Sequence, residues 1–471
     1  MTTAPTTARR PLLLMLAALV VAGAAVRSTR MTESLWYDEI AAWRDYGMHG
    51  PRAILTTYFD PANHVAHTLL SWCAFELLAS FEWPAAVALR FPSFVFSLAT
   101  IPILFGLGRR AGGIRVGIVA AAVAAIAPVA VLEGVEARGY SMMIFFAAAA
   151  THQWLALRTR PRLTRGLAYA TLMALGVWSH PMTVFVALGH GVILLVEMIR
   201  RRRIEAIGMG ALVAAAALTL VLFAPIIGAV LRTRRAFADA SPDTPSPFGI
   251  EGAAALLQLG GSLAWWAALP ALLVAIAGVV RAGRTPETRS VIVATLAGLP
   301  LLFAATWLLD SWMYTRFAFF AFPGGAILIA LGVDTLWRRR AAAGVGAIAL
   351  ITACYAADLA VRPTKQPLRE AARVVETERR PGERLLVVGL RHEVLDVYAA
   401  ALDPAYSLHH GADLAAAIAR VEPAWVIVLY PRAVGPERLG LLAENGFAVH
   451  TRLPGWADWG DGEVVVWRRG E

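Results

Sequence analysis

The stretch HVAHTLLSWCAFELLAS, His64 to Ser80, decides how this chain threads a membrane. It is apolar enough to pass for a spanning helix, yet it carries Glu76 and two histidines, His64 and His67. Counted as a span, it brings the next apolar run in from the cytoplasm, and every later arginine cluster then falls outside. Lys and Arg gather in cytoplasmic loops, so that count fails. Counted as an amphipathic helix lying along the outer membrane face, it restores the alternation. The sequence therefore predicts an interfacial helix here, with a re-entrant segment as the fallback.

Other runs of spanning length lie at about 11–27, 90–108, 114–132, 138–157, 166–180, 181–199, 206–230, 253–280, 290–309, 316–336 and 342–361. Basic clusters punctuate them at Arg9-Arg10, Arg109-Arg110-Arg115, Arg158–Arg165, Arg200–Arg203, Arg281–Arg289 and Arg338–Arg340. Every second connection carries one, which places the N-terminus in the cytoplasm and the C-terminal segment outside. The first run has a basic start and small residues near Ala25, as a signal peptide would; the many later runs favour a retained anchor. The first outer loop, residues 28–89, is far longer than the other outer turns, and long ordered loops tend to carry function. The expected fold class is an α-helical polytopic membrane protein with about 11–12 transmembrane helices and interfacial helices in that loop. It occupies residues 1–362, ahead of a soluble extracytoplasmic α/β domain at 363–471.

Composition agrees. The 471 residues are 58% hydrophobic and only 16% charged, against about 25% charged for soluble proteins. The net charge of +10 is almost all arginine, Lys365 being the only lysine, and it sits in short clusters between apolar runs. That is how topology signals are distributed, and it argues against nucleic acid. Cys73 and Cys354 lie far apart in apolar segments, with neither a disulfide framework nor metal-ligand spacing.

After Val361 the pattern changes. LLVVG (385–389), WVIVLYP (425–431), FAVHTRL (447–453) and EVVVW (463–467) read as strands, with helical patterns at 368–379 and 412–420. No phosphate-cradling glycine motif occurs, so nucleotide binding has no support there. The turn GWADWGDGE (455–463) has aromatics suited to a sugar ring but reads first as a surface turn.

Chemistry-bearing residues recur at outer helix ends. SLWYDEIAAW (34–43) sets Asp38 and Glu39 among Trp36, Tyr37 and Trp43. Acids in a first turn suit the helix dipole, but a carboxylate at a membrane face can also act as a general base. EGVEARGY (133–140) holds Glu136, Arg138 and Tyr140; the arginine fork suits a phosphate, and a structural ion pair is the plainer alternative. Arg316 in MYTRFAFF and Arg90 in ALRFPSF stand at outer helix starts, against the positive-inside bias. A lipid phosphate or, for Arg316, Asp310 is a candidate partner. His64, His67 and His180 show no metal motif such as HExxH. Together these residues suit an anionic, lipid-linked substrate, whose leaving phosphate needs cations and whose attacking hydroxyl needs a base.

The stretches LWYDEIAAW, NHVAHTLLSW, LRFPSFVFSLATIPILFGLGRRAGG, EARGYSM and YTRFAFFAFPGGAILIALG carry a resemblance. The chain resembles GT-C fold glycosyltransferases that use polyprenyl-phosphate sugars, and among them relatives of the protein O-mannosyltransferases and the lipid A aminoarabinose transferase. The resemblance implies Asp38 as catalytic base, with Glu39 assisting. It implies that Arg138 helps hold the donor phosphate, with His64 where relatives carry a polar or basic residue. Arg316 and Arg90 are further phosphate-binding candidates, and Tyr37, Glu136, Tyr140 and His180 are candidate substrate contacts. Relatives often have a lysine near His64, and this chain does not. Some GT-C enzymes use a divalent cation near the acids and others do not; no clear ligand set stands out here. The implied reaction moves a sugar to a hydroxyl of a lipid, glycan or protein acceptor at the outer face of the cell membrane. The rival reading, a transporter or flippase of lipid-linked saccharides, predicts internal repeats and helices interrupted at mid-membrane, and no repeat is evident.

Overall fold

The computed structural model describes residues 6–240, 247–311, 313–399, 402, 405–409, 412–457 and 461–470. Part of the Pro-rich connection 232–249 and the centre of the turn 455–463 lie outside the described residues. Two compact units form. One comprises residues 1–31 and 46–360, the other residues 32–45 and 361–471. The acid-bearing segment 32–45 thus belongs with the C-terminal unit, although its sequence neighbours on both sides belong to the other.

In chain order the helices begin with α1 (Thr6–Ser28), α2 (Tyr37–Asp45), α3 (Gly50–Thr56), α4 (Val65–Ala79) and α5 (Ala85–Gly112). They continue as α6 (Ile114–Ile126), α7 (Pro128–Leu132), α8 (Tyr140–Thr159), α9 (Leu163–Ser179), α10 (Val184–Arg201) and α11 (Ala206–Phe223). Then come α12 (Ile227–Ala240), α13 (Ile250–Leu257), α14 (Trp265–Ala282), α15 (Pro286–Leu296), α16 (Gly298–Leu308), α17 (Phe322–Arg339) and α18 (Ala341–Val361). All but α2 belong to the first unit, apart from the last residue of α18.

Among the described residues, eight helical segments are long and apolar enough to cross a membrane, or nine if a bent pair counts as one span. The protein is a multi-pass membrane protein. Two predicted spans, α8 and α9, are not in that set. α8 is buried along most of its length, and a helix surrounded by protein need not show lipid an apolar surface all round. The predicted run 206–230 is two helices, since α11 ends at Phe223 and α12 occupies the start of what the sequence suggested was an outer loop. The predicted run 253–280 is likewise broken between α13 and α14, where Gly261 takes a positive φ of 79°.

The stretch from which the topology was argued is α4. His67, Thr68 and Ser71 are buried against the rest of the first unit, while Leu70, Cys73, Glu76 and Leu77 are exposed. At 15 residues, α4 is about 22 Å long, short of the roughly 30 Å hydrocarbon core.

The bent pair is α6 with the segment Pro128–Val135, at 56°. The residue before a proline avoids helical ψ, and Ala127 sits at ψ 129°. The carbonyls freed at this break find one partner, Arg27 at the end of α1. Its Nη1 donates to Gly23 O and Ala125 O, its Nη2 to Ala124 O and Ala130 O, and its Nε to Ser97 Oγ, all within 3.0 Å. The side chain is fully buried, and all five of its N–H donors are satisfied by neutral acceptors.

The second unit adds α19 (Leu368–Glu378) and a five-stranded sheet in the order β2-β1-β3-β5-β4. Its strands are β1 (Leu385–Gly389), β2 (Ala405–His409), β3 (Trp425–Leu429), β4 (Phe447–Leu453) and β5 (Val464–Arg469). β1 pairs parallel with both β2 and β3, and β5 runs antiparallel to β3 and β4. β1 and β3 are buried at every position, as strands covered on both faces should be. Strand β2 was not anticipated, because AYSLH lacks a run of β-branched residues.

Candidate active site

In the first unit, the EARGY stretch is built against the start of α4 and the turn between α9 and α10. Gly139 makes this possible. A Cβ there would lie 2.1 Å from the Ser179 carbonyl oxygen and 3.0 Å from His64 Nδ1. Without one, the Gly139 N–H donates to His64 Nδ1 at 2.8 Å.

That bond fixes the histidine. A backbone N–H can only donate, so Nδ1 accepts, and the proton of the neutral ring sits on Nε2. Arg138 Nη2 lies 3.4 Å from that same Nε2. Two donors therefore face each other, an arrangement that an oxygen anion placed against both would satisfy. Burial first, then the charge of Arg138, with smaller contributions from His180, His67 and Arg316, hold the His64 pKa well below its ordinary value. His180 is lowered to about 3, by burial and then by Arg138 and Arg316. Both rings are neutral at pH 7. His180 Nδ1 accepts the Met182 N–H at 3.3 Å, so its Nε2 also carries a proton.

Aromatic contacts hold the group together. The His64 and His180 rings are 4.5 Å apart, and each meets Tyr140, at 5.4 and 5.1 Å. The Arg138 guanidinium lies 5.8 Å from the Tyr140 ring, and its Nη1 donates to Ala62 O at 2.7 Å. Behind it, His67 Nε2 meets Ser93 Oγ at 2.8 Å, and Ser93 donates to the Arg138 carbonyl at 3.1 Å. Arg316 stacks on Tyr314 at 4.6 Å, and its charge reaches both His64 and His180.

The structure thus brings His64, Arg138, Tyr140 and His180 together, with Arg316 within electrostatic reach. The Arg90 Nη1 donates to Arg30 O and Met31 O just after α1, at 3.4 and 3.3 Å. Glu136 and Glu133 are buried in the turn ahead of Arg138. Arg316 follows Thr315, whose N–H and hydroxyl both donate to Glu251 on α13. The helix α13 also lines an apolar cleft of about 710 Å³, walled by Phe248, Leu256, Leu299, Phe303 and Trp307.

In the second unit, Asp38 and Glu39 take different places. Glu39 Oε2 turns back to accept the Trp36 N–H at 3.1 Å, the reach of a third-position acid in a capping box. Glu39 is buried, whereas Asp38 and Tyr37 are part-exposed. Among the described residues no three His, Cys, Asp or Glu side chains converge as metal ligands.

Sequence reasoning missed Gly139, Ser93 and Arg27. Only Gly139 had a visible signal, a glycine between Arg138 and a helix start.

Comparisons with known proteins bear on this arrangement. The family model described as dolichyl-phosphate-mannose-protein mannosyltransferase matches residues 68–228. ArnT from Cupriavidus metallidurans, solved bound to undecaprenyl phosphate, superposes with a TM-score of 0.59 at 14% identity, covering 98% of each chain. The chain has the GT-C fold. A second GT-C protein, the oligosaccharyltransferase AglB from Archaeoglobus fulgidus, solved with an inhibitory peptide and a dolichol-phosphate, gives a TM-score of 0.58 at 11% identity, over 97% of this chain and 74% of that one. No curated protein matches the sequence. The matched region of the family model contains the EARGY stretch, His180 and most of α4, and begins just after His64 and His67.

Proposed function

We propose that this GT-C protein transfers a hexosyl or pentosyl group from a polyprenyl phosphate to a hydroxyl of a lipid, glycan or protein acceptor at the outer face of the cell membrane. The observation that carries the reading is the pair of facing donors, Arg138 Nη2 and His64 Nε2, buried beside His180 and Tyr140. A phosphate oxygen set against both nitrogens would accept from each. Arg316 adds a second positive charge, and the cleft joined to it through Glu251 and Thr315 has the apolar lining an isoprenoid chain needs.

Asp38 is the general base. As the acceptor oxygen bonds to the anomeric carbon, its proton passes to the Asp38 carboxylate, and the bond from that carbon to the phosphate oxygen breaks. The leaving polyprenyl phosphate gains one negative charge, which Arg138, Arg316 and the His64 N–H stabilise. Attack opposite the leaving group inverts the anomeric centre. Glu39 keeps the helix start in place rather than reacting, and Tyr37 and Glu136 are substrate contacts.

The test is a transfer assay with purified protein, a panel of labelled polyprenyl-phosphate sugars and a membrane-extract acceptor. Labelled product appearing with stoichiometric release of polyprenyl phosphate is expected from at least one donor. Release of free sugar alone, or energy-dependent movement of intact donor between leaflets, would replace the reading with hydrolysis or transport.

A further inference from the structure

The second unit does more than follow the membrane helices in sequence. Within it, the segment 32–45 is pinned along its length by residues more than 300 positions away. Arg369 donates to Thr32 O at 2.8 Å, and its N–H to Ser34 Oγ at 3.2 Å. The Tyr398 hydroxyl meets both the N–H and the carbonyl of Leu35. Gln366 Oε1 accepts the Tyr37 N–H at 2.9 Å. The lone lysine, Lys365, lies with its ammonium 4.3 Å from the Trp36 ring and 5.2 Å from Trp456. At the far end, Arg44 donates to Glu393 O at 2.7 Å and pairs with Asp396 at 2.8 Å. Arg391 grips Asp45 with both terminal nitrogens, at 3.2 and 2.8 Å.

These contacts bracket Asp38 on both sides. Gln366 and Tyr398 fix the backbone before it, and Arg391 and Arg44 fix the end of α2 after it. Arg391 links the two ends, because it also bonds to the Tyr37 side chain. Its pKa is raised first by the bond to Asp45, so its charge is never in question. Arg391 follows the C-terminal end of β1, which lies between its parallel partners β2 and β3. That is the switch point where α/β sheets present functional loops. A two-toothed arginine–carboxylate grip fixes orientation as well as distance, which a lysine there would not.

We propose that the C-terminal unit is a positioning element for the reaction, holding the acid-bearing segment 32–45, with Arg391 its principal positioning residue. This rests on the reading of Asp38 as the base. Residues 361–471 therefore contribute to turnover through the segment they hold. Displacement of a reacting group by about 1 Å can cost on the order of 100-fold in rate, so loosening the grip should lower kcat while leaving donor binding intact.

The experiment uses the full-length protein with Arg391→Asp, Asp45→Arg, the double exchange, and Tyr398→Phe as a gentler probe that keeps every charge. Two readouts are taken: amide hydrogen exchange of the peptide covering residues 34–45, and kcat with donor KM. The expected result is faster exchange in both single charge variants, with kcat down at least about 10-fold and donor KM within about 2-fold. The double exchange should recover part of both losses, and Tyr398→Phe should shift both in the same direction by less. Unchanged exchange in Arg391→Asp and Tyr398→Phe overturns the grip. Faster exchange with unchanged kcat overturns its role in the reaction. If wild type transfers no sugar, the function reading fails, while exchange still reports on the grip.

Discussion

Replacing Arg138 with glutamine tests the phosphate site at its centre. The side chain is 4% exposed, with Nη1 committed to Ala62 O and Nη2 facing the protonated nitrogen of His64. Removing the charge has two separable consequences. A charge-assisted hydrogen bond to a phosphate oxygen contributes about 1.5–3 kcal/mol, so the Kd for polyprenyl phosphate should rise about 10- to 150-fold. The Ala62 carbonyl loses its donor, at a cost of about 1–3 kcal/mol in stability. Against this, the facing-donor repulsion disappears, so the loss in stability should fall at the low end of that range. Arg138→Lys keeps the charge but not the fork and should bind with intermediate affinity. The assay is calorimetric titration of detergent-solubilised protein with polyprenyl monophosphate, alongside thermal unfolding. A folded Arg138→Gln variant that binds within about twofold of wild type would refute the assignment of Arg138 to the phosphate.

Gly139→Ala should destabilise by at least about 1–3 kcal/mol, because its Cβ would meet the Ser179 carbonyl at 2.1 Å; thermal unfolding reads this directly. Arg27→Met leaves the carbonyls at the α6–α7 break without their donor and should cost at least about 3 kcal/mol, seen as a lower unfolding midpoint without loss of donor affinity in the folded fraction. The pH dependence has a definite sign. His64 and His180 have folded pKa values below the unfolded 6.5, so the unfolded state binds protons that the native state refuses. Stability is flat above pH 6.5 and falls below it, toward about pH 3, by up to about 1.4 kcal/mol per pH unit for each histidine. His64→Gln should flatten that slope in unfolding scans.

The membrane character of the chain was legible because spanning helices and the arginine clusters between them show in composition. Helix breaks were not. Ala127-Pro128, Ala224-Pro225 and Gly260-Gly261 are local stop signals, but each lies inside a run apolar enough to read as one span. The burial of His67, Thr68 and Ser71 on α4 was not legible, since a short helix with histidines reads as polar side outward until its neighbours are known. At the site, the residue types were legible and their partners were not. Arg138 and His180 are far apart in sequence from His64, and only the fold sets their rings and guanidinium together. The two acids looked equivalent as letters. The capping bond from Trp36 to Glu39 separates them, because helix geometry brings a third-position acid back to the helix start. The grouping of residues 32–45 with the C-terminal unit had one faint signal, the solitary lysine Lys365 in an otherwise all-arginine cation set.

The central claim is sugar transfer with Asp38 as base, and a single-turnover experiment meets it most directly. Protein pre-loaded with labelled polyprenyl-phosphate sugar is mixed with acceptor, and product formation is followed for wild type and Asp38→Asn. The account predicts transfer by wild type and a rate lowered about 100- to 10,000-fold by the substitution, with donor affinity unchanged. Transfer by Asp38→Asn at the wild-type rate would contradict it.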